Sequence, residues 1–205
     1  MPIDFEILTK KPLMIVISGP SGVGKDSVIH EMMRRKLPIH FVITANTRLP
    51  RPDEKEGVDY FFVSRERFQE MIERGELIEY SPVYEDFKGV PKSQVEQALV
   101  SGKDVIMRLD VQGAEKIRKL YPEALLIFIV PTNEDEWIER YKGRNREPPK
   151  DLDVRINKAK EELQKIPLFD YVVVNPQNKL NEAVDTVEAI IKAEHHRTLQ
   201  RSTAF

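Results

Sequence analysis

Cysteine is absent from all 205 residues. Disulfides, zinc–thiolate centres and thiol nucleophiles are therefore excluded together. No apolar run approaches the roughly 20 residues that a membrane-crossing helix requires. Residues 1–12 mix Asp4 and Glu6 with Lys10 and Lys11 and hold no signal-peptide apolar core. The expected compartment is the cytoplasm. The four histidines, His30, His40, His195 and His196, show no ligand or catalytic spacing. Charge of either sign is in little excess: the formal net charge is −2, so there is no global pull toward nucleic acid or anionic membrane. The basic residues form no continuous stripe with interleaved aromatics, which leaves nucleic-acid binding little support. Internal repeats and low-complexity tracts are missing as well.

What is present is an ordinary globular balance, 40% hydrophobic and 32% charged, in a chain long enough for one sizeable domain. Five short apolar runs, at 14–18, 41–44, 105–109, 124–130 and 171–174, are rich in β-branched residues and do not alternate with polar ones. Continuous runs of that kind suit strands covered on both faces, as in parallel sheets. Helical patterns lie between or after them, at 26–35, 92–100, 113–120, 134–140, 152–164 and 180–194. In the last, Leu180, Val184, Val187 and Ile191 form a core stripe at helical spacing. The alternation predicts an α/β doubly wound architecture.

The run 14–18 feeds Gly19-Pro20-Ser21-Gly22-Val23-Gly24-Lys25, followed by helix-forming sequence. This nearly fits the phosphate-loop pattern G-x-x-x-x-G-K-[ST]. Glycines let backbone N–H groups curl around a phosphate, and the following helix aims its positive end at the same anion. Lys25 adds a cation for the terminal phosphates. The hydroxyl expected next is replaced by Asp26, with Ser27 one place later. Asp26 reads either as a Mg²⁺-side residue or as an acid that suits the helix dipole.

Two segments break the alternation. Residues 48–90 carry Pro50, Pro52, Gly57, Gly75, Pro82 and Gly89 around a strand-like 60–63 and a helical 65–74, and read as an inserted subdomain. Residues 137–155 are rich in Arg and Lys, interrupted by Pro148-Pro149, and read as a lid. A phosphate loop with two such insertions suits phosphoryl transfer between nucleotides.

Seven motifs occur in order: Gly19 to Lys25, Thr47-Arg48-x-x-Arg51-Pro52, Gly57-Val58-Asp59-Tyr60-Phe61-Phe62-Val63, Leu77-Ile78-Glu79, Asp110-Val111-Gln112-Gly113, Gly143-Arg144 and Val173-Val174-Asn175. Together they resemble the guanylate kinases, over about residues 13–193. The resemblance implies a P-loop NTPase three-layer fold around a central parallel sheet. It divides the single domain, 1–205, into a core (about 13–43, 91–135 and 156–194), a GMP-binding subdomain (about 44–90) and a lid (about 136–155). It implies transfer of the ATP γ-phosphate to GMP with Mg²⁺ as cofactor and ATP and GMP as partners, dGMP use being open, in a monomer or homodimer. Gly19, Pro20, Ser21, Gly22, Val23, Gly24, Lys25, Asp26 and Ser27 would bind ATP with Arg140, Arg144 and Asn175. Arg48, Arg51, Tyr60 and Lys88 would hold the GMP phosphate. Thr44 and Glu79 would read guanine, and Asp110 would stand near GMP and, with Asp26, near the metal. Lys25, Arg48, Arg144 and Arg155 would be catalytic.

The sequence departs from the family pattern at three further places. Lys88-Gly89-Val90 replaces Tyr-Gly-Thr or Tyr-Gly-Ser, and Arg108 replaces an acid two residues before Asp110. With Asp26 these changes resemble a bacterial and plant-organelle branch of the family. Lys88 would exchange a phenol for a direct ion pair, whereas Val90 has no hydrogen bond to offer. Two rival readings stand beside this one. A kinase of the same fold could act on another phosphorylated acceptor, such as a ribose bisphosphate, but would have no use for a guanine-reading Glu79. A non-catalytic guanylate kinase-like interaction module would characteristically have lost the lysine and lid arginines retained here.

Overall fold

The structure, a computed structural model, describes residues 11–52, 54–83, 85–144, 152–199 and 201, with residues 141–144 and 152 described in their backbone only. A five-stranded parallel sheet forms its centre, built from β1 (Met14–Ser18), β2 (Ile39–Val42), β7 (Asp104–Arg108), β8 (Leu125–Val130) and β9 (Tyr171–Val174) in the spatial order β2-β7-β1-β8-β9. Every residue of β1 is buried, as its unbroken apolar run requires. Each such side chain contributes about 1.5–3 kcal/mol relative to exposure. Ile15 and Ile17 face one core, shared with α1 (Lys25–Arg34) and α7 (Leu180–Glu194). Met14 and Val16 face the other, shared with α3 (Lys92–Val100) and α4 (Val111–Leu120). The remaining core helices are α5 (Glu134–Arg144) and α6 (Leu152–Leu163).

The chain runs from β1 outward to β2, returns to β7, and then crosses to β8 on the far side of β1. The carboxyl end of β1 is thus the switch point of the sheet, where open α/β folds leave a crevice for ligands. The phosphate loop emerges there.

The expected single strand at 41–44 is divided between two sheets. Val42 ends β2, and Thr44 begins β3 (Thr44–Asn46), which belongs to a second sheet. The stretch from Phe41 to Ala45 holds no charge and no turn residue, so composition hides the break; Ile43 alone separates the strands. The second sheet also contains β4 (Tyr60–Phe62), β5 (Leu77–Val83) and β6 (Asp86–Pro91), in the order β4-β3-β6-β5. Helix α2 (Arg65–Glu73), capped by the Ser64 hydroxyl, packs Phe68 and Met71 onto Ala45 and Leu77 to give this sheet its own small core. Pro91 and Lys92 return the chain to α3. Among the described residues, no helix is long and apolar enough to cross a membrane. Residues 145–151 of the expected lid lie outside the described residues.

Candidate active site

The loop after β1 is shaped by close approach. Gly19 has φ of +134°, and a Cβ there would lie 2.2 Å from the Ile129 carbonyl oxygen. Gly24 has φ of +93°, and its Cβ would lie 2.4 Å from Asn175 Nδ2. Only glycine meets both demands. Gly24 is also the N-cap of α1 and carries no side chain to cap the first turn. The first N–H groups of α1 are thereby left for an anion. Lys25 folds back over the loop, its Nζ donating to the carbonyls of Gly19 (2.6 Å) and Pro20 (2.9 Å). Desolvation pushes its ammonium down to about 8, against the opposing pull of Asp26.

Three residues brace the loop from behind. Trp137 Nε1 donates to the Ser21 carbonyl at 2.7 Å. Asn175 Nδ2 donates to the Val23 carbonyl at 2.9 Å. Arg140 reaches the same Val23 oxygen at 3.3 Å and the Asn175 carbonyl at 2.7 Å, and pairs with Glu136. Neither Arg140 nor Asn175 lines the cleft in front of the loop.

That cleft brings Lys25 and Asp26 opposite Arg48, Arg51, Tyr60, Lys88, Arg108 and Asp110. Arg48 follows β3 and forks onto Glu54, at 2.6 Å through Nη1 and 2.5 Å through Nη2. Its guanidinium lies 5.1 Å from the Tyr60 ring centre. Desolvation raises the Glu54 carboxyl, but Arg48 outweighs it and holds the group below its usual range. Lys88 Nζ donates to the Tyr60 hydroxyl at 3.4 Å. Arg51 is exposed at the rim. The cations thus converge on a space facing the phosphate loop, an arrangement for two anions held end to end.

Asp110 is the N-cap of α4. Its Oδ1 accepts from Gly113 N at 2.7 Å, while the buried Oδ2 has no hydrogen-bond partner among the described residues. Beyond Asp110 lies Glu79, 5% exposed on β5. Burial, reinforced by Asp110, pushes the Glu79 carboxyl up to about 7. Ser81, two residues along and on the same strand face, donates to Glu79 Oε2 at 3.2 Å and accepts from Lys116 Nζ at 3.2 Å. Thr44 is buried on β3, separated from β5 by β6, with its hydroxyl unpartnered among the described residues; neither Thr44 nor Glu79 is part of the cleft lining.

Several of these residues are missed by motif reading. Ser81 is found by strand periodicity from Glu79. Lys158 and Glu162 line the cleft from α6, where the sequence points to Arg155. Arg155, Lys158 and Glu162 stand at helical spacing, a pattern legible once 155 is suspected. Arg155 is half-buried and is not part of the cleft lining; the side chain of Arg144 lies outside the described residues. Asp26 is engaged by Arg108 at 2.6 Å. Desolvation works to raise the Asp26 carboxyl, but Arg108 and Lys25 overcome it and hold it well below the usual carboxylate range.

A glycine-lined loop between a buried central strand and an uncapped helix, with cations gathered across the cleft, defines a phosphate-loop nucleotide-binding protein. Comparison with known proteins narrows the class. The guanylate kinase family profile matches residues 11–194. The chain is 44% identical to the chloroplastic/mitochondrial guanylate kinase 2 of Oryza sativa subsp. japonica, over 94% of this chain and 68% of that protein. It is 42% identical to a guanylate kinase of Halalkalibacterium halodurans, over 91% of this chain and 90% of that protein. The crystal structure of guanylate kinase from Anaplasma phagocytophilum superposes with a TM-score of 0.77 at 30% identity, covering 92% of this chain and 89% of that one. The chain belongs to the guanylate kinase family.

Proposed function

We propose that this chain transfers the γ-phosphate of ATP to GMP, giving ADP and GDP. The observation that carries the reading is the pairing of two features across one cleft: the phosphate loop with Lys25, and the cluster of Arg48, Arg51, Tyr60 and Lys88. The buried Glu79 stands outside that lining, coupled to it through Asp110. The loop N–H groups and Lys25 hold the ATP phosphates. The facing cluster holds the GMP phosphate, with Arg48 exchanging Glu54 for phosphate oxygens. Glu79 and the Thr44 hydroxyl read the base. Guanine presents two adjacent donors, N1–H and the 2-amino group, which a carboxylate accepts together; adenine presents no such pair. Ser81 supplies the pocket hydroxyl that Val90 lacks. Arg140 and Asn175 keep the donor loop in shape, and Arg144 and Arg155 add charge from the lid side.

An oxygen of the GMP phosphate bonds to the γ-phosphorus as the bond to the bridging oxygen of ADP breaks. The attacking oxygen is already anionic, so no base is needed. What opposes the reaction is repulsion: two unit charges 4 Å apart cost about 4 kcal/mol at an effective dielectric near 20. Positioning and charge neutralisation therefore carry catalysis.

The residues present fit a Mg²⁺ ion carried by ATP, since such ions take one or two carboxylates and leave the rest to phosphate and water. Asp110, whose Oδ2 has no partner among the described residues, would hold it, with Asp26 contributing through the oxygen that Arg108 does not engage. The ion would neutralise phosphate charge. The reactants are soluble nucleotides, which places the reaction in an aqueous compartment such as the cytoplasm.

The test is ADP production from Mg-ATP with GMP, AMP, CMP and UMP supplied separately. A response confined to GMP is expected. Silence with all four, from protein that binds ATP, would transfer the reading to a different phosphorylated acceptor. Silence without ATP binding would favour an interaction module.

A further inference from the structure

Arg108 has no part in the roles above, yet it lines the cleft between Asp26 and Tyr60. It ends β7, and its side chain is 4% exposed. Nη1 donates to Asp26 Oδ1 at 2.6 Å, on the first turn of the helix that follows the phosphate loop. Nη2 donates to the Asp59 carbonyl at 2.6 Å, on the loop that delivers Tyr60. The guanidinium lies 4.1 Å from the Tyr60 ring centre and 5.3 Å from that of Phe41. A second tie runs beside the first: His30, one turn after Asp26 on α1, meets Asp59 Oδ1 at 2.9 Å. The donor-side helix and the segment carrying Tyr60 are thus joined twice, once through a strand of the central sheet.

We propose that Arg108 is a positioning residue which, anchored by Asp26, fixes Tyr60 and makes acceptor affinity depend on a carboxylate of the donor half. The proposal rests on the reading of the Tyr60 cluster as the GMP phosphate site. The chemistry calls for both partners. A bare guanidinium here would repel Lys25 and Lys88 and compete for the substrate phosphate. A bare Asp26 would repel the ATP phosphates. Paired, they cancel, which leaves Nη2 to hold the Asp59 carbonyl and the flat face to hold the Tyr60 ring, while the buried Nε has no partner among the described residues. Arginine alone can fork and stack at once; an ammonium cannot. Tyr60 in turn carries Lys88 on its hydroxyl and Arg48 over its ring, so a shift of the ring moves three phosphate-binding groups together.

The experiment is calorimetric titration of GMP into the full chain in EDTA, with no ATP present. Metal and donor nucleotide are thereby removed from the comparison. Asp26→Ala is expected to weaken GMP binding by roughly tenfold, within the range of coupling between sites. Arg108→Gln should weaken it similarly, and the double variant no further than the worse single, because the two act as one unit. Arg108→Lys should stay weak, since charge without fork and face does not hold Tyr60. Thermal melts establish that each variant is folded at the assay temperature; if Arg108→Gln is not, Asp26→Ala carries the test alone. Wild-type GMP affinity in Asp26→Ala would overturn the proposal, as would full rescue by Arg108→Lys or additive losses in the double variant. Failure of the wild-type chain itself to bind GMP would overturn the functional reading instead.

Discussion

At the scale of single residues, two displaced ionisations frame the working pH. Lys25 must carry its proton to meet ATP, and desolvation lowers that group to about 8. Glu79 must lose its proton to accept from guanine, and burial raises that group to about 7. kcat/KM for GMP should therefore climb as pH rises through about 7, and kcat/KM for ATP should fall above about 8; initial rates in overlapping buffers check both arms. Lys25→Ala should lower kcat by roughly 10²–10³-fold or more while leaving GMP affinity nearly intact, since the charge acts on the transition state. Glu79 has a second consequence, in stability. Between about 4.5 and about 7 the unfolded chain gives up this proton and the folded chain keeps it, so stability declines as pH rises through that window. Glu79→Gln should consequently raise the melting temperature by a few degrees at pH 8 and by much less at pH 4.5, at the expense of guanine binding. Equal shifts at both pH values would show that Glu79 is not a strained acid. The residue types at these positions are legible in the sequence because each sits in a short motif. The bond between Asp26 and Arg108 is not, because 82 residues separate its ends and each alone looks like a deviation.

At the scale of elements, the site depends on how closely strands and helices approach. Helix α4 passes Glu79 at Gly113, where an added Cβ would lie 3.2 Å from the carboxylate atoms. Gly113→Ala should push Glu79 aside and raise KM for GMP severalfold, with KM for ATP unchanged; a loss shared by both substrates would point to a general distortion of α4. In the antiparallel pair β5 and β6, Glu79 faces Val90 and Ser81 faces Lys88. The hydroxyl missing at position 90 therefore has a counterpart on the next strand. Ser81→Ala should cost roughly tenfold in GMP-over-AMP selectivity, the loss of about one hydrogen bond to a charged group, and Val90→Ser in the same chain should return part of it. If Lys88→Tyr with Val90→Ser gave much tighter GMP binding than the native pair, Lys88 would be no replacement for the phenol. The inner strands β1, β7 and β8 are legible because burial on both faces leaves an apolar signature, and the edge strand β9 because its valines remain apolar even where Val172 and Val174 are exposed. The division of 41–44 between two sheets is not, since both sheets bury that run and only the direction of the chain changes at Ile43. Strands β5 and β6 mix Pro, Gly and charged residues, so composition conceals them, although Leu77, Glu79 and Ser81 alternate as one buried face of β5.

At the scale of the whole molecule, attraction of the nucleotides has to be local. The formal net charge is −2, so the chain as a whole repels rather than gathers anions. Within the cleft the balance is reversed: Lys25, Arg48, Arg51, Lys88, Arg108 and Lys158 face Asp26, Asp110 and Glu162. Low-dielectric walls focus such a field, and exposed members of it are screened by salt over about 8–10 Å near physiological ionic strength. Arg51 at the rim feels that screening, whereas the more buried pair of Arg108 and Asp26 feels it much less. KM for GMP should accordingly rise with added KCl, and Arg51→Gln should start from a higher KM and rise less steeply. Asp26→Ala should raise KM at every salt concentration with the native slope, because its effect passes through the position of Tyr60 and not through long-range attraction. Stopped-flow and steady-state measurements across a KCl series separate the two. Parallel slopes for wild type and Arg51→Gln would mean that the rim arginine steers nothing, and that GMP is drawn in by the buried cations alone.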